Sequence, residues 1–232
     1  MHRFEAIPCT LVAALLCACA LPPAPDDAFY GLEVDAPVQV DRTPLLPGIL
    51  EIDPFRADPL TSGRAMLYRD PRTPARVHRH PYTFWMEAPP TMLQRQVAGY
   101  LRGARVAEKV ITPNVGAKAG YVLAGTITRM EQIWSDEPAV RLELELSLVE
   151  RESRDLLFHG LYAEELPMVG RDAAGAVDAF GRALSSILEH FVADLEASLD
   201  SRPQSQSIRC RSCGPPSRTR GFPARVTSWT PQ

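Results

Sequence analysis

Apolar and polar side chains alternate without interruption over residues 140–148. The apolar positions are Val140, Leu142, Leu144, Leu146 and Leu148, and the polar ones are Arg141, Glu143, Glu145 and Ser147. A period of two predicts a β-strand with one buried and one solvated face. Residues 121–133 carry apolar side chains of one parity and are followed by turn residues at 135–138. The two segments therefore predict an antiparallel hairpin, whose apolar face needs a covering layer.

Two amphipathic helices are predicted to supply that layer. The longer helix follows Asp172, a favourable N-cap residue. Its apolar stripe consists of Val177, Phe180, Leu184, Ile187, Phe191, Leu195 and Leu199. The shorter helix begins at Pro90, because a proline lacks the N–H that an initial helical position leaves unbonded. Its apolar side chains at helical spacing are Leu93, Val97 and Leu101.

Further strands are predicted at residues 49–54, 65–69, 76–82 and 156–165. Strands and helices are segregated along the chain, which is typical of an α+β protein. We expect a single domain over residues 45–200, with a mostly antiparallel sheet and the two amphipathic helices packed on it.

The N-terminus carries an export signal that ends in Leu16-Cys17-Ala18-Cys19. Residues 11–16 are apolar but too short to span a bilayer, and a small residue precedes Cys19, which together indicate a lipoprotein signal peptide over residues 1–18. Cys19 is the predicted lipidation site, so that palmitate and other acyl chains would hold the protein in the membrane. Ala20, rather than an aspartate, favours the periplasmic face of the outer membrane. The alternative is an ordinary secretory signal in which Cys19 has no lipid.

Two segments flank the predicted domain. Residues 19–44 are rich in proline and acidic side chains and predict an extended tether, within which residues 29–32 form an apolar island able to add an edge strand. Residues 201–232 contain six arginines and no acidic residue, and predict a disordered basic tail, which a shifted reading frame would also produce. The net charge of −3 less the tail's +6 leaves −9 for residues 1–200, which argues against nucleic acid as a partner.

No pattern in the sequence predicts a catalytic residue, a cofactor or a bound metal. Cys210 and Cys213 have the spacing of half a zinc site but lack a second pair of ligands, and a redox pair would need a folded helix N-terminus. His78 and His80 would point the same way from a strand, where a metal site would need a third ligand. Neither a G-x-S-x-G nor an H-E-x-x-H motif occurs. The protein is therefore predicted not to be an enzyme.

Several short motifs, in their order and spacing over about residues 29–200, resemble the ABC-type transport auxiliary lipoprotein family, which includes the lipoprotein of the paraquat-inducible system. These motifs are Phe29-Tyr30-Gly31-Leu32, Leu50-Glu51-Ile52-Asp53-Pro54, Met66-Leu67-Tyr68-Arg69, Trp85 followed by Ala88-Pro89-Pro90, Tyr121-Val122-Leu123-Ala124-Gly125, and the final amphipathic helix. The tail after Asp200 departs from the family's pattern.

The resemblance implies a non-catalytic docking component of a transporter that moves lipid or other apolar compounds. Its partner would be a mammalian-cell-entry domain protein, and a homo-oligomer is compatible with the family. The candidate partner surface consists of Tyr82, Phe84, Trp85 and Met86. For Trp85 the preferred interpretation is that it packs against the helix that begins at Pro90, because aromatic side chains tend to be buried. Two other hypotheses stay open: an outer-membrane assembly or secretion lipoprotein that binds protein partners, and a periplasmic hydrolase with a polar cluster in a pocket.

Overall fold

The computed structural model describes residues 24–37 and 41–201, which form one α+β domain with a curled mixed sheet and two helices. In chain order the elements are β1 Ala28–Tyr30, β2 Leu46–Ile52, β3 Arg56–Ala57, β4 Ala65–Arg69, β5 Val77–Trp85, α1 Pro89–Gly103, β6 Ala107–Ile111, a 3-10 turn Pro113–Val115, β7 Tyr121–Ile133, β8 Ala139–Glu150, β9 Leu156–Pro167 and α2 Ala173–Asp200. The α+β class, the single domain and both helices are confirmed.

Strand β7 organises the sheet, because it is paired along both of its edges. On one edge it forms the predicted antiparallel hairpin with β8, which in turn pairs with β9. On the other edge β2, β3 and β4 follow one another, each parallel to β7. The sheet therefore forks on this side: β6 extends the branch of β2, and β5 and β1 extend the branch of β4.

The prediction of a mostly antiparallel sheet is wrong. Among the described residues, five of the eight strand pairings are parallel and three are antiparallel. The error has a physical reason. Alternation and turn residues reveal hairpins, in which two strands that are neighbours in sequence pair antiparallel. A parallel pair needs a long connection, and no local pattern marks which distant strand completes it.

The helices cover one face of the sheet as the stripes predict. In α2, Phe180, Leu184 and Phe191 are buried, and the Asp172 side chain accepts a hydrogen bond from the Gly175 N–H at 2.9 Å. In α1, Leu93, Val97 and Leu101 are fully buried, and the helix begins at Pro89 rather than Pro90. Side chains of β7 and β8 supply the opposite wall of this core, namely Leu123, Ile127, Val140, Leu142, Leu144, Leu146 and Leu148.

The segment before β2 packs on the domain, although it was assigned to the tether. β1 pairs with β5, which confirms the edge strand expected from the apolar island. Residues 31–37, which we call the strap, then cross the two helices: Leu32 is fully buried, and its carbonyl accepts a hydrogen bond from Gln96. The strap backbone fits against helical glycines, since a Cβ on Gly181 would lie 2.6 Å from the Glu33 carbonyl oxygen.

A pair of glycines one turn apart in α1 tests the strap contact. A Cβ on Gly103 would lie 2.5 Å from the Pro37 carbonyl oxygen, whereas a Cβ on Gly99 would meet nothing within 4 Å. We expect Gly103→Ala to lower the free energy of unfolding by about 1–3 kcal/mol, because backbone must shift. Gly99→Ala should raise it by about 0.5–1 kcal/mol through helix propensity. Urea unfolding of both variants measures the difference, and effects of the same sign would contradict the strap contact.

Candidate functional site

Part of the predicted chemistry lies outside the described residues. Cys19, with the signal peptide before it, and the tail residues Cys210 and Cys213 belong to this part, so their roles stay predictions. Among the described residues, neither helix is long and apolar enough to cross a bilayer.

Trp85 does not belong to an exposed partner surface. Its side chain is 3% exposed, and its ring meets that of Phe180 edge-on with centroids 5.7 Å apart. Inclusion of Trp85 in the surface was therefore wrong, because successive residues of a strand face opposite ways and this one faces the core. This ring contact joins Trp85 to α2, whereas the sequence analysis had suggested that Trp85 packs against α1.

The neighbours of Trp85 lie on the outside, together with a residue from β1. Met86 is 61% exposed and Tyr82 is also exposed, while the Phe84 ring stacks on Phe29 with centroids 5.6 Å apart. We call Phe29, Tyr82, Phe84 and Met86 the outer aromatic patch. The sequence had placed Phe29 on an edge strand, but only the parallel register of β1 and β5 brings it opposite Phe84.

A cation borders the outer aromatic patch. The Arg64 guanidinium carbon lies 5.1 Å from the centroid of the Phe29 ring, and the same side chain donates a hydrogen bond to the Trp85 carbonyl at 3.0 Å. The Trp85 N–H in turn donates to the Arg64 carbonyl at 2.7 Å. These two hydrogen bonds hold Arg64 against the backbone of β5, so its guanidinium stays beside the Phe29 ring.

A second cluster of rings occupies the other end of β5. The Tyr68 ring contacts His78 at 4.9 Å, His80 at 4.6 Å and Trp134 at 5.6 Å between centroids. His78 and His80 thus point the same way, as their spacing predicted. Burial lowers the pKa of His80, while its hydrogen bond with Gln132 acts in the opposite direction. Within the described residues no group of three His, Cys, Asp or Glu side chains is placed to hold a metal ion.

The face of the sheet opposite the helices carries a chain of ion pairs across four strands, in which Glu131 is buried. Basic and acidic side chains alternate in the order Arg69, Glu131, Arg129, Glu143, Arg141 and Glu165. Two nitrogens of Arg69 donate hydrogen bonds to the Glu131 carboxylate, at 2.6 and 2.8 Å, and this hydrogen bonding raises the pKa of Arg69. Each arginine already faces a carboxylate, so this chain of ion pairs stabilises the sheet surface and offers little free positive charge to an anion.

One group of side chains has the composition of a hydrolytic triad. The Ser147 hydroxyl lies 3.1 Å from His159 Nδ1, and the Glu145 carboxylate lies 3.9 Å from the same nitrogen. In a working triad the base uses one ring nitrogen for the serine and the other for the acid. Here a single nitrogen faces both groups, and His159 lies on the exposed sheet face rather than in a pocket. This geometry does not support the hydrolase hypothesis.

Comparison with known proteins identifies the class to which this domain belongs. The family model for the ABC-type transport auxiliary lipoprotein component matches residues 30–192. The chain belongs to the ABC-type transport auxiliary lipoprotein family.

Solved structures share the fold. A Xanthomonas campestris protein of the family DUF330 is 18% identical, with a TM-score of 0.63, and the match covers 74% of this chain and 96% of that one. An uncharacterized protein is 13% identical, with a TM-score of 0.58, covering 74% of this chain and 99% of that one. No curated protein sequence matches the chain.

Proposed function

We propose that this protein is the lipid-anchored docking component of an ABC-type transporter for phospholipid or other apolar compounds. The observation that carries this proposal is the family match over residues 30–192, which spans nearly the whole described domain. The lipoprotein signal ending at Cys19 supports an anchor on the periplasmic face of the outer membrane. The role is one of binding, in which a rigid domain presents a surface to a mammalian-cell-entry domain protein.

The outer aromatic patch is the proposed contact surface for that partner. It combines exposed apolar area with a neighbouring guanidinium, and aromatic, Met and Arg side chains are enriched in protein interfaces. Its backbone is held by β1, β4 and β5, so that binding would order few additional groups.

A matched pair of surface substitutions tests this contact. Met86 and Val115 are both 61% exposed, and Val115 lies in the 3-10 turn, outside the outer aromatic patch. We expect Met86→Asp to lower capture of the mammalian-cell-entry protein from native membranes at least about tenfold, because a carboxylate would be desolvated in the interface. Val115→Asp should leave capture unchanged. Equal capture by both variants and the unaltered chain would rule out the outer aromatic patch as the contact.

The same purification distinguishes the transport role from the alternative function. Affinity capture of the full chain from native membranes, with mass spectrometry of bound proteins and lipids, should recover transporter subunits. An outer-membrane assembly or secretion lipoprotein would instead recover secretion or pilus proteins, and that result would overturn the transport role.

A further inference from the structure

Strand β9 is an edge strand with an ordered row of open hydrogen-bonding groups. It pairs with β8 along its length, and no other described strand pairs with it. The Met168 N–H donates to the Pro138 carbonyl at 2.9 Å, and the register continues unbroken from Pro167 to Phe158. In an antiparallel ladder every second residue bonds the same neighbour. The backbone groups of His159, Leu161, Ala163 and Glu165 therefore point away from β8.

The open edge lacks most of the features that protect exposed strands. Proteins blunt such edges with proline, with charged side chains, above all lysine, or with a bulge. Between Phe158 and Leu166 this strand has no proline, lysine or bulge, and its two carboxylates, Glu164 and Glu165, lie together near one end. Leu161, in the middle of the edge, is 73% exposed. A long edge with an exposed leucine at its centre is suited to pairing with another strand.

The sequence of β9 is complementary to itself in one antiparallel register. If two copies pair with Tyr162 opposite Tyr162, His159 lies opposite Glu165 and Leu161 opposite Ala163, twice by symmetry. On the other face Glu164 lies opposite Gly160, and Phe158 opposite Leu166. No like charges are opposed, and an imidazole meets a carboxylate at each end of the pairing. The outward-pointing residues fall into hydrogen-bonded pairs in this register, as an antiparallel ladder requires.

We propose that two copies of this chain associate through β9, edge to edge, in the register centred on Tyr162. Sheets of the two copies then join into one continuous sheet, with a two-fold axis through the contact. Ser147 lies beside Nδ1 of His159, and in the tautomer whose Nδ1 accepts from the Ser147 hydroxyl, the Nε2–H is left to donate to the Glu165 carboxylate of the other copy.

Disulfide cross-linking in the periplasm tests both the contact and its register. The full lipidated chain, with Cys210→Ser and Cys213→Ser to remove the tail thiols, carries Leu161→Cys in one copy and Ala163→Cys in the other. Directly opposed residues lie within disulfide reach, whereas a residue and its own symmetry copy are offset by two positions. We expect co-expression to give at least about tenfold more cross-linked dimer than either variant alone. Val115→Cys serves as the control for random collision.

A proline substitution gives an independent readout. Leu161→Pro removes an N–H that points to solvent in a single copy, so the domain should keep its fold. The dissociation constant of the dimer should rise at least about tenfold, because a hydrogen bond between the copies is lost. Leu161→Ala keeps the N–H and should retain the dimer. Sedimentation measures association, and circular dichroism measures the fold. The proposal is overturned if Leu161→Pro dimerises normally, if Leu161→Cys alone cross-links as well as the pair, or if the cysteines join a different protein.

Discussion

Replacement of Cys19 by alanine is expected to transfer the protein from the membrane fraction to the soluble periplasm. Each buried methylene of an acyl chain contributes about 0.8 kcal/mol to membrane binding, so the predicted lipid group, with more than one chain attached at this one residue, would be an anchor that a single substitution abolishes. The domain itself should be unaffected, because its core is formed by residues beyond position 30. Fractionation after high-salt washing and mass spectrometry of the mature N-terminus measure both effects.

Cys17 supplies the matched control for this experiment. It lies two positions earlier, inside the predicted signal peptide, so Cys17→Ala should still be lipidated and membrane-bound. Unchanged thermal melting of the Cys19→Ala protein would exclude misfolding as the cause of release. A Cys19→Ala protein that stays in the membrane fraction, or a mature N-terminus without lipid in the unaltered chain, would contradict the anchor.

Truncation of either phenylalanine on the buried face of α2 should remove much of the stability of the domain. Phe180 packs edge-on against Trp85, and Phe191 packs against both Phe158 and Tyr162. Phe180→Ala or Phe191→Ala should each lower the free energy of unfolding by about 3–5 kcal/mol, since the apolar contacts are lost and a cavity remains. Domains are typically stable by about 5–15 kcal/mol, so both variants should unfold at a much lower denaturant concentration.

Phe29 provides a surface control for these two substitutions in the core. Its side chain is 52% exposed, so Phe29→Ala should cost less than about 1 kcal/mol. Urea titrations of the three variants in the soluble Cys19→Ala background, followed by circular dichroism, give the comparison. Similar losses for Phe29 and Phe191 would show that α2 does not cover the core as described.

The elements that the sequence predicted correctly are those whose signals are local. The alternation at 140–148 identified β8, turn residues identified its hairpin with β7, and the apolar stripe identified α2. In each case the residues that carry the signal are neighbours along one element or across one tight turn. The burial of Leu142 and Phe180 follows directly from these periods.

The features that sequence did not predict depend on contacts between distant segments. The parallel pairings of β7 with β2, β3 and β4 join strands separated by long connections. For Trp85 the sequence left both a surface position and packing against a helix open, because a run of apolar side chains such as Phe84 to Met86 does not show which one faces inward. The burial of Leu32 against the helices was not predicted either, because the apolar island of residues 29–32 is too short to show a period.

The pairing of β1 with β5 shortens the distance that the domain can reach from the N-terminal end of the chain. A chain from Cys19 to the start of β2 would reach about 90 Å when fully extended, but only nine residue steps separate Cys19 from Ala28, which is already paired in the sheet. If Cys19 carries the proposed lipid, these nine residue steps let β1 lie at most about 30 Å from the bilayer surface. The proposed anchor would therefore keep the domain near the lipid surface, and the proposed transporter partner would have to bridge the rest of the gap.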